Sequence, residues 1–205
     1  MQARGKLFVI AAPSGAGKTS LVRALMQRMP RLRFSISYTT RKKRETEVNE
    51  RDYFFVDKPT FQRMIDADEF LEHAQVFDNY YGTSKAQVQQ LLDAGENVLL
   101  EIDWQGAQQI RKTAPQVESI FILPPSREEL ERRLRDRKTD SEEVIARRLR
   151  DSIVDMSHWD EFDYVVVNQD FDRAVSDLEA IVNGSGSSLR RDRADLKPLI
   201  DTLLG

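Results

Sequence analysis

The octapeptide Ala12-Pro13-Ser14-Gly15-Ala16-Gly17-Lys18-Thr19 lies between the apolar run Leu7-Phe8-Val9-Ile10-Ala11 and the helical pattern Leu21-Val22-Arg23-Ala24-Leu25-Met26. A strand, a glycine-rich loop and a helix in that order are the context a phosphate-binding loop requires. Glycines at 15 and 17 let backbone N–H groups converge on phosphate oxygens, and the helix that follows adds the positive end of its dipole. Lys18 is then placed to reach the β- and γ-phosphates of a nucleoside triphosphate, and the Thr19 hydroxyl to ligate Mg²⁺. The pattern G-x-x-x-x-G-K-[ST] asks for glycine where this chain has Ala12, the smallest substitute, acceptable if φ is negative there. A glycine-rich turn carrying a chance Gly-Lys-Thr is the alternative.

The rest of the chain supplies a matching scaffold. Apolar runs at 6–11, 32–38, 97–102, 118–123 and 164–168 alternate with helical periodicity, which predicts an α/β fold with a largely parallel sheet flanked by helices. Capping-box pairs Ser84/Gln87 and Ser126/Glu129 mark two helix starts, and Gly95 closes the first of them. Residues 39–94 break the alternation with short β-like pieces around a helix near 60–66, as expected of an inserted lobe. Two charged helices at 126–138 and 141–156, turning at Lys138-Thr139-Asp140, read as a second insertion that could act as a lid. Asn183-Gly184-Ser185-Gly186-Ser187-Ser188 has linker composition, and 189–204 reads as one last helix. At 205 residues the chain suits one globular domain, or one domain with small inserted lobes, its core formed by 1–38, 95–125 and 157–182.

Zero cysteines and two histidines, His73 and His158, exclude a disulfide framework and argue against zinc. The first five residues hold no apolar signal segment, and no run approaches bilayer length, so the expectation is a cytoplasmic protein with no membrane partner. A net charge of −3 argues against a dedicated nucleic-acid binder, although 31 Lys and Arg are present and clustered.

Five further patterns carry chemistry. Val98-Leu99-Leu100-Glu101-Ile102-Asp103 ends a strand in two carboxylates on one face, which in a phosphate-loop fold address the Mg²⁺ and acceptor side; a solvated strand end is the alternative. Thr39-Thr40-Arg41-Lys42-Lys43-Arg44 packs four cations into a loop that can neither be a core nor pair internally, so it needs an anion. Arg41 and Arg44 could grip a phosphate monoester beside the Tyr53 hydroxyl, or the run is a solvated basic turn. Phe70-Leu71-Glu72-His73-Ala74 puts a carboxylate inside an apolar strand. Guanine offers two adjacent donors where adenine offers none, so Glu72 suits guanine unless it is an exposed edge residue. Arg132, Arg133, Arg135, Arg137, Arg147, Arg148 and Arg150 line the lid helices, with Arg133 and Arg137 on one face; some could stabilise a transferring phosphoryl group, and others pair with nearby glutamates. Asn168, at the end of the last strand, could contact adenine or simply terminate the strand. The histidines take no catalytic role.

The phosphate loop, the Thr39-Thr40-Arg41-x-x-Arg44-x-x-Glu47 stretch leading to Tyr53-Phe54-Phe55, and Asn79-Tyr80-Tyr81-Gly82 together resemble guanylate kinase, in its bacterial form, from about Gly5 to Val182. An alanine at the first loop position is the variant expected beside such an acceptor loop. The resemblance implies a phosphate-loop core, a GMP-binding lobe at 39–94 and a helical lid at 126–156, with phosphoryl transfer from ATP to GMP supported by Mg²⁺. It implies a GMP phosphate grip at Arg41, Arg44, Tyr53 and Tyr81, and guanine recognition at Ser37, Glu72 and Thr83 with Gly82 between, and Glu101 and Asp103 beneath. It selects Arg133, Arg137 and Arg148 among the lid arginines. Two departures stand out: Glu45-Thr46 replaces a usual Pro-Gly pair, and Glu50 replaces a small residue. A sugar-phosphate kinase and a non-catalytic phosphopeptide-binding module are the competing readings. Glu72 with Tyr80-Tyr81-Gly82-Thr83 disfavours the first, and Lys18 with Thr19 the second.

Overall fold

The apolar run after residue 6 forms β1 (Leu7–Ala11), all five of whose side chains are buried, the pattern of a parallel strand covered on both faces. The structure, a computed structural model, describes residues 3–76, 78–136 and 141–205. After β1 come α1 (Lys18–Arg28), β2 (Leu32–Phe34), β3 (Tyr38–Thr39), β4 (Phe54–Phe55), α2 (Lys58–Asp66), β5 (Phe70–Val76), β6 (Asn79–Ser84), α3 (Lys85–Asp93) and β7 (Asn97–Glu101). The chain continues with α4 (Trp104–Thr113), β8 (Glu118–Leu123), α5 (Arg127–Asp136), α6 (Glu142–Ser157), β9 (Tyr164–Val167), α7 (Phe171–Val182) and α8 (Leu196–Leu204). A five-stranded sheet has the order β2-β7-β1-β8-β9, with β2 parallel to β7 and β8 parallel to β9. A four-stranded mixed sheet has the order β4-β3-β6-β5. Among the described residues no helix is long and apolar enough to cross a membrane.

Contacts divide the chain into two compact units: Met1–Phe8, Arg31–Leu100 and Gln105–Val117 in the first, Val9–Pro30, Glu101–Trp104 and Glu118–Gly205 in the second. The first unit centres on aromatic packing, with Phe61 stacked on Phe70 and Tyr80 at centroid distances of 4.6 and 5.6 Å, and Tyr38 on Phe54 at 4.6 Å. Phe61 is almost wholly buried, so its truncation to alanine should cost about 3–5 kcal/mol. The second unit is built on Ile120, Phe121, Ile122 and Leu123 of β8 and on Ala174, Val175, Leu178 and Ile181 of α7, all buried.

Helix ends follow the expected chemistry. Ser84 accepts the Gln87 amide and Ser126 the Glu129 amide, while Gly95 and Glu96 return hydrogen bonds to Leu92 and Leu91 and so close α3. Two expectations are corrected. The run 32–38 is two strands in different sheets, because after the Ser35 amide bonds Leu99 the chain leaves the parallel sheet and Ser35 Oγ turns to Gln87. The segment after Val182 is neither an open linker nor one helix from 189. Ser185 N–H bonds the Ala180 carbonyl and Gly184, with φ 80°, bonds Ile181, closing α7 with a backbone only glycine adopts cheaply. Arg190 then bridges to Tyr164, and the Arg193 guanidinium donates to Val165 O, so residues 190–193 are tied to β9 and the helix begins only at Leu196.

Candidate active site

In the second unit, β1 hands directly into the loop 12–17 and α1 starts at Lys18, so the helix N-terminus points its unpaired N–H groups at the loop. Gly17 is the N-cap with φ 92°, and a Cβ there would lie 2.5 Å from Asn168 Nδ2. Ala12 is absent from the residues of positive φ, which removes the need for glycine at the first loop position. Lys18 Nζ donates to Ile102 O at 2.7 Å, and the Thr19 hydroxyl donates to Glu101 Oε1 at 2.6 Å. A hydroxyl and a carboxylate at that separation are hard oxygen donors of the kind Mg²⁺ takes.

The loop is held from behind by groups on α5, α6 and the end of β9. Arg133 donates to Ala16 O at 3.3 Å and to Asn168 O at 2.9 Å, while its Nε donates to Glu129 at 2.7 Å. Bonds from Arg132 and Arg133 hold the Glu129 carboxyl down at a pKa of about 2. Asn168, 4 % exposed, donates its side-chain amide to Ala16 O at 2.8 Å. That bond uses one of the two amide N–H donors of Asn168 and ties the end of β9 to the loop. Ser152 Oγ bonds Ser14 O, and its other partner is the carbonyl of Arg148, one turn earlier on α6, a residue whose side chain is half-buried. Arg132 and Arg135 pair with Glu129, Asp136, Glu131 and Glu142, the solvated-face alternative for those two. Arg137, and the turn 138–140, lie outside the described residues.

A cluster that sequence reasoning missed adjoins Lys18. Trp104 stacks on His158 at 3.5 Å and donates its indole N–H to Asp155 at 3.2 Å. Burial pushes the Asp155 carboxyl up to about 6, helped by Asp103 and Asp151 and opposed by the Trp104 bond and Lys18. His158 Nδ1 meets Glu161 at 2.6 Å, in keeping with a structural place for that histidine.

In the first unit, Arg41 is the centre of a cationic site. Its guanidinium bonds Glu47 in fork geometry at 2.7 and 3.0 Å and lies 5.3 Å from the Tyr53 ring centre and 5.6 Å from that of Phe55. Tyr53 meets Tyr81 edge-on at 6.2 Å. The expectation that this basic run lacks an internal partner is therefore corrected. Glu47 N–H bonds Arg44 O, folding the loop back so that the Glu47 carboxylate also accepts the Arg44 N–H at 2.8 Å. The hydrogen bond from Arg41 holds the Glu47 carboxyl below the usual range and raises Arg41 in turn. The Arg44 side chain is 74 % exposed, whereas Arg41 and Glu47 are 18 % and 15 % exposed. Glu47 was visible in the motif, but only the fold gives it this role.

Glu72 is 4 % exposed, so it is not the exposed edge residue of the alternative reading. It takes a 2.6 Å hydrogen bond from the Thr83 hydroxyl across the β5/β6 pair. Gly82 is required by packing, since a Cβ there would lie 2.9 Å from the Phe70 ring. Ser37 accepts the Phe54 amide through its carbonyl, and Thr40 Oγ1 accepts the Tyr80 amide. The first unit thus brings together Arg41, Tyr53 and Tyr81, and separately Glu72 and Thr83. Glu101 and Asp103 belong to the second unit, beside the loop chemistry.

A family model described as guanylate kinase matches residues 4–185. The chain is 54 % identical over 202 residues to the guanylate kinase of Methylococcus capsulatus, covering 98 % of this chain and 99 % of that one. It is 50 % identical over 204 residues to that of Escherichia coli, with the same coverage. The crystal structure of guanylate kinase from Anaplasma phagocytophilum matches with a TM-score of 0.75 at 31 % identity, covering 98 % of this chain and 96 % of the other.

Proposed function

The chain belongs to the guanylate kinase family, and from that premise we propose that it transfers the γ-phosphoryl group of ATP to GMP, releasing ADP and GDP, as a step of purine nucleotide metabolism. An oxygen of the GMP phosphate attacks the γ-phosphorus, the bond to the β,γ-bridging oxygen breaks, and the electron pair leaves on ADP. No general base is needed for an acceptor already anionic near neutral pH, so the residues work by positioning and charge neutralisation.

Lys18 takes the β- and γ-phosphates when it leaves the Ile102 carbonyl. Thr19 with Glu101 would hold Mg²⁺, directly or through water, and the bound ion supplies charge neutralisation at the phosphates. Arg41, oriented by Glu47, grips the acceptor phosphate with Arg44, Tyr53 and Tyr81. Arg133, Arg137 and Arg148 add charge to the transferring group from the lid at 126–156, and 39–94 is the acceptor lobe.

The acceptor assignment rests on the buried Glu72 carboxylate beside Thr83. A carboxylate only accepts, so it matches the guanine N1–H and 2-amino donors, while adenine would set an acceptor against it. Ser37 completes the base contacts of the first unit in this reading. Turnover of purified protein with ATP and Mg²⁺ against a panel of nucleoside monophosphates is the test. GMP should be preferred by orders of magnitude, and faster turnover of AMP, UMP or TMP would refute the assignment.

A further inference from the structure

β5 is the edge strand of the four-stranded sheet, and its outer edge is not left to water. Gln109, in the second half of α4, accepts the His73 N–H at 3.1 Å and donates its own amide to His73 O at 2.7 Å. A side-chain amide so placed imitates the peptide group of one more strand. His73 stands opposite Gly82 and Glu72 opposite Thr83. Both backbone groups of His73 face away from β6, as they do at a non-hydrogen-bonded pair. The register also shifts between Phe70 and Glu72. Such an irregularity disrupts the ladder and re-aims side chains locally, so pairing with β6 alone restrains the Glu72 direction less than in a regular strand. Gln109 restrains the strand from the other side, one residue beyond the bulge.

We propose that Gln109 is a positioning residue for acceptor-base recognition, fixing the backbone at His73 and thereby the aim of the Glu72 carboxylate. The proposal rests on the reading of Glu72 as the guanine-binding group. Gln109 does not touch the base; it acts through β5. Loss of two partly exposed neutral hydrogen bonds, with water as a partial substitute, should weaken GMP binding by about three- to tenfold.

The test compares Gln109→Met, similar in length and without polar atoms, with Gln109→Glu, which keeps an acceptor for the His73 N–H but faces the carbonyl with a second acceptor. Each is measured alone and with Glu72→Gln, using GMP and IMP, the latter lacking the 2-amino donor. Gln109→Met should raise KM for GMP, lower the preference for GMP over IMP, leave KM for ATP and kcat within about twofold, and speed amide exchange at His73. Gln109→Glu should fall between Met and wild type, and neither should add to the KM effect of Glu72→Gln. If the methionine variant does not fold, Gln109→Asn, too short to span both groups, carries the same comparison. Equal losses for GMP and IMP, or a lower melting temperature with unchanged kinetics, would overturn the positioning role while a raised KM in Glu72→Gln left the base reading intact. An unchanged KM in Glu72→Gln would overturn both.

Discussion

The Thr83 hydroxyl donates to the Glu72 carboxylate at 2.6 Å across neighbouring strands, and the pair is buried. An acceptor this far from water depends on its hydrogen-bond donors, and removing the Thr83 hydroxyl leaves a cost that a ligand cannot fully repay. Thr83→Val keeps the shape and deletes the hydroxyl. It should weaken GMP about fivefold or more in a calorimetric titration and leave ATP binding unchanged. Equal losses for both nucleotides would assign Thr83 to the fold rather than to the base site.

Lys18 sits on the Ile102 carbonyl, a neutral partner it can exchange for phosphate oxygens. Lys18→Ala should lower kcat by at least about a hundredfold, the scale of losing one positioned donor to the transferring group. GMP affinity should stay within about twofold. A tenfold weaker GMP affinity in this variant would contradict the division between donor and acceptor halves.

Features legible in the sequence were those with a local cause. The strand at 118–123 shows itself because an apolar run in a covered parallel strand needs no partner to be recognised, and its observed limits match. Ser84 and Ser126 announce helix starts because a cap bonds an amide only three residues away. The phosphate loop is legible for the same reason. Residues 32–38 read as one strand because a run of strand-forming residues does not say where the chain passes from one sheet to another. The Gly-Ser segment after Val182 misled because glycine serves tight closure as well as flexibility. Glu47 beneath Arg41, Gln109 on His73, and Asp155 under Trp104 were invisible as contacts, since each depends on how distant or folded-back segments meet.

Glu50 adopts φ 65° where the family resemblance expects a small residue, and its amide closes the turn onto Tyr53 O at 2.8 Å. A side chain in the left-handed region costs about 1–2 kcal/mol, part of which glycine returns through its freer unfolded chain. Glu50→Gly should therefore stabilise the protein by about 0.5–1 kcal/mol. The midpoint of urea unfolding should rise with the slope unchanged. A lower midpoint would mean that the exposed glutamate contributes more than its backbone costs.

Asp155 carries the clearest pH signature. Its carboxyl is raised from an ordinary value of 3.8 to about 6, chiefly by burial, with Asp103 and Asp151 adding repulsion and Trp104 and Lys18 opposing it. An acid whose native pKa is raised binds more protons folded than unfolded between those two values. Its contribution is therefore most favourable below pH 3.8 and is lost as pH rises through about 6. At neutral pH the charged group costs about 1–2 kcal/mol once screening at a partly exposed site is allowed for. Asp155→Asn keeps an oxygen to accept the Trp104 N–H and removes the charge. Relative to wild type, its melting temperature should be nearly unchanged at pH 4 and about 2–6 °C higher at pH 7, with the gap opening between. Melting curves for the two proteins that stay parallel from pH 4 to pH 7 would show that Asp155 titrates at its ordinary value.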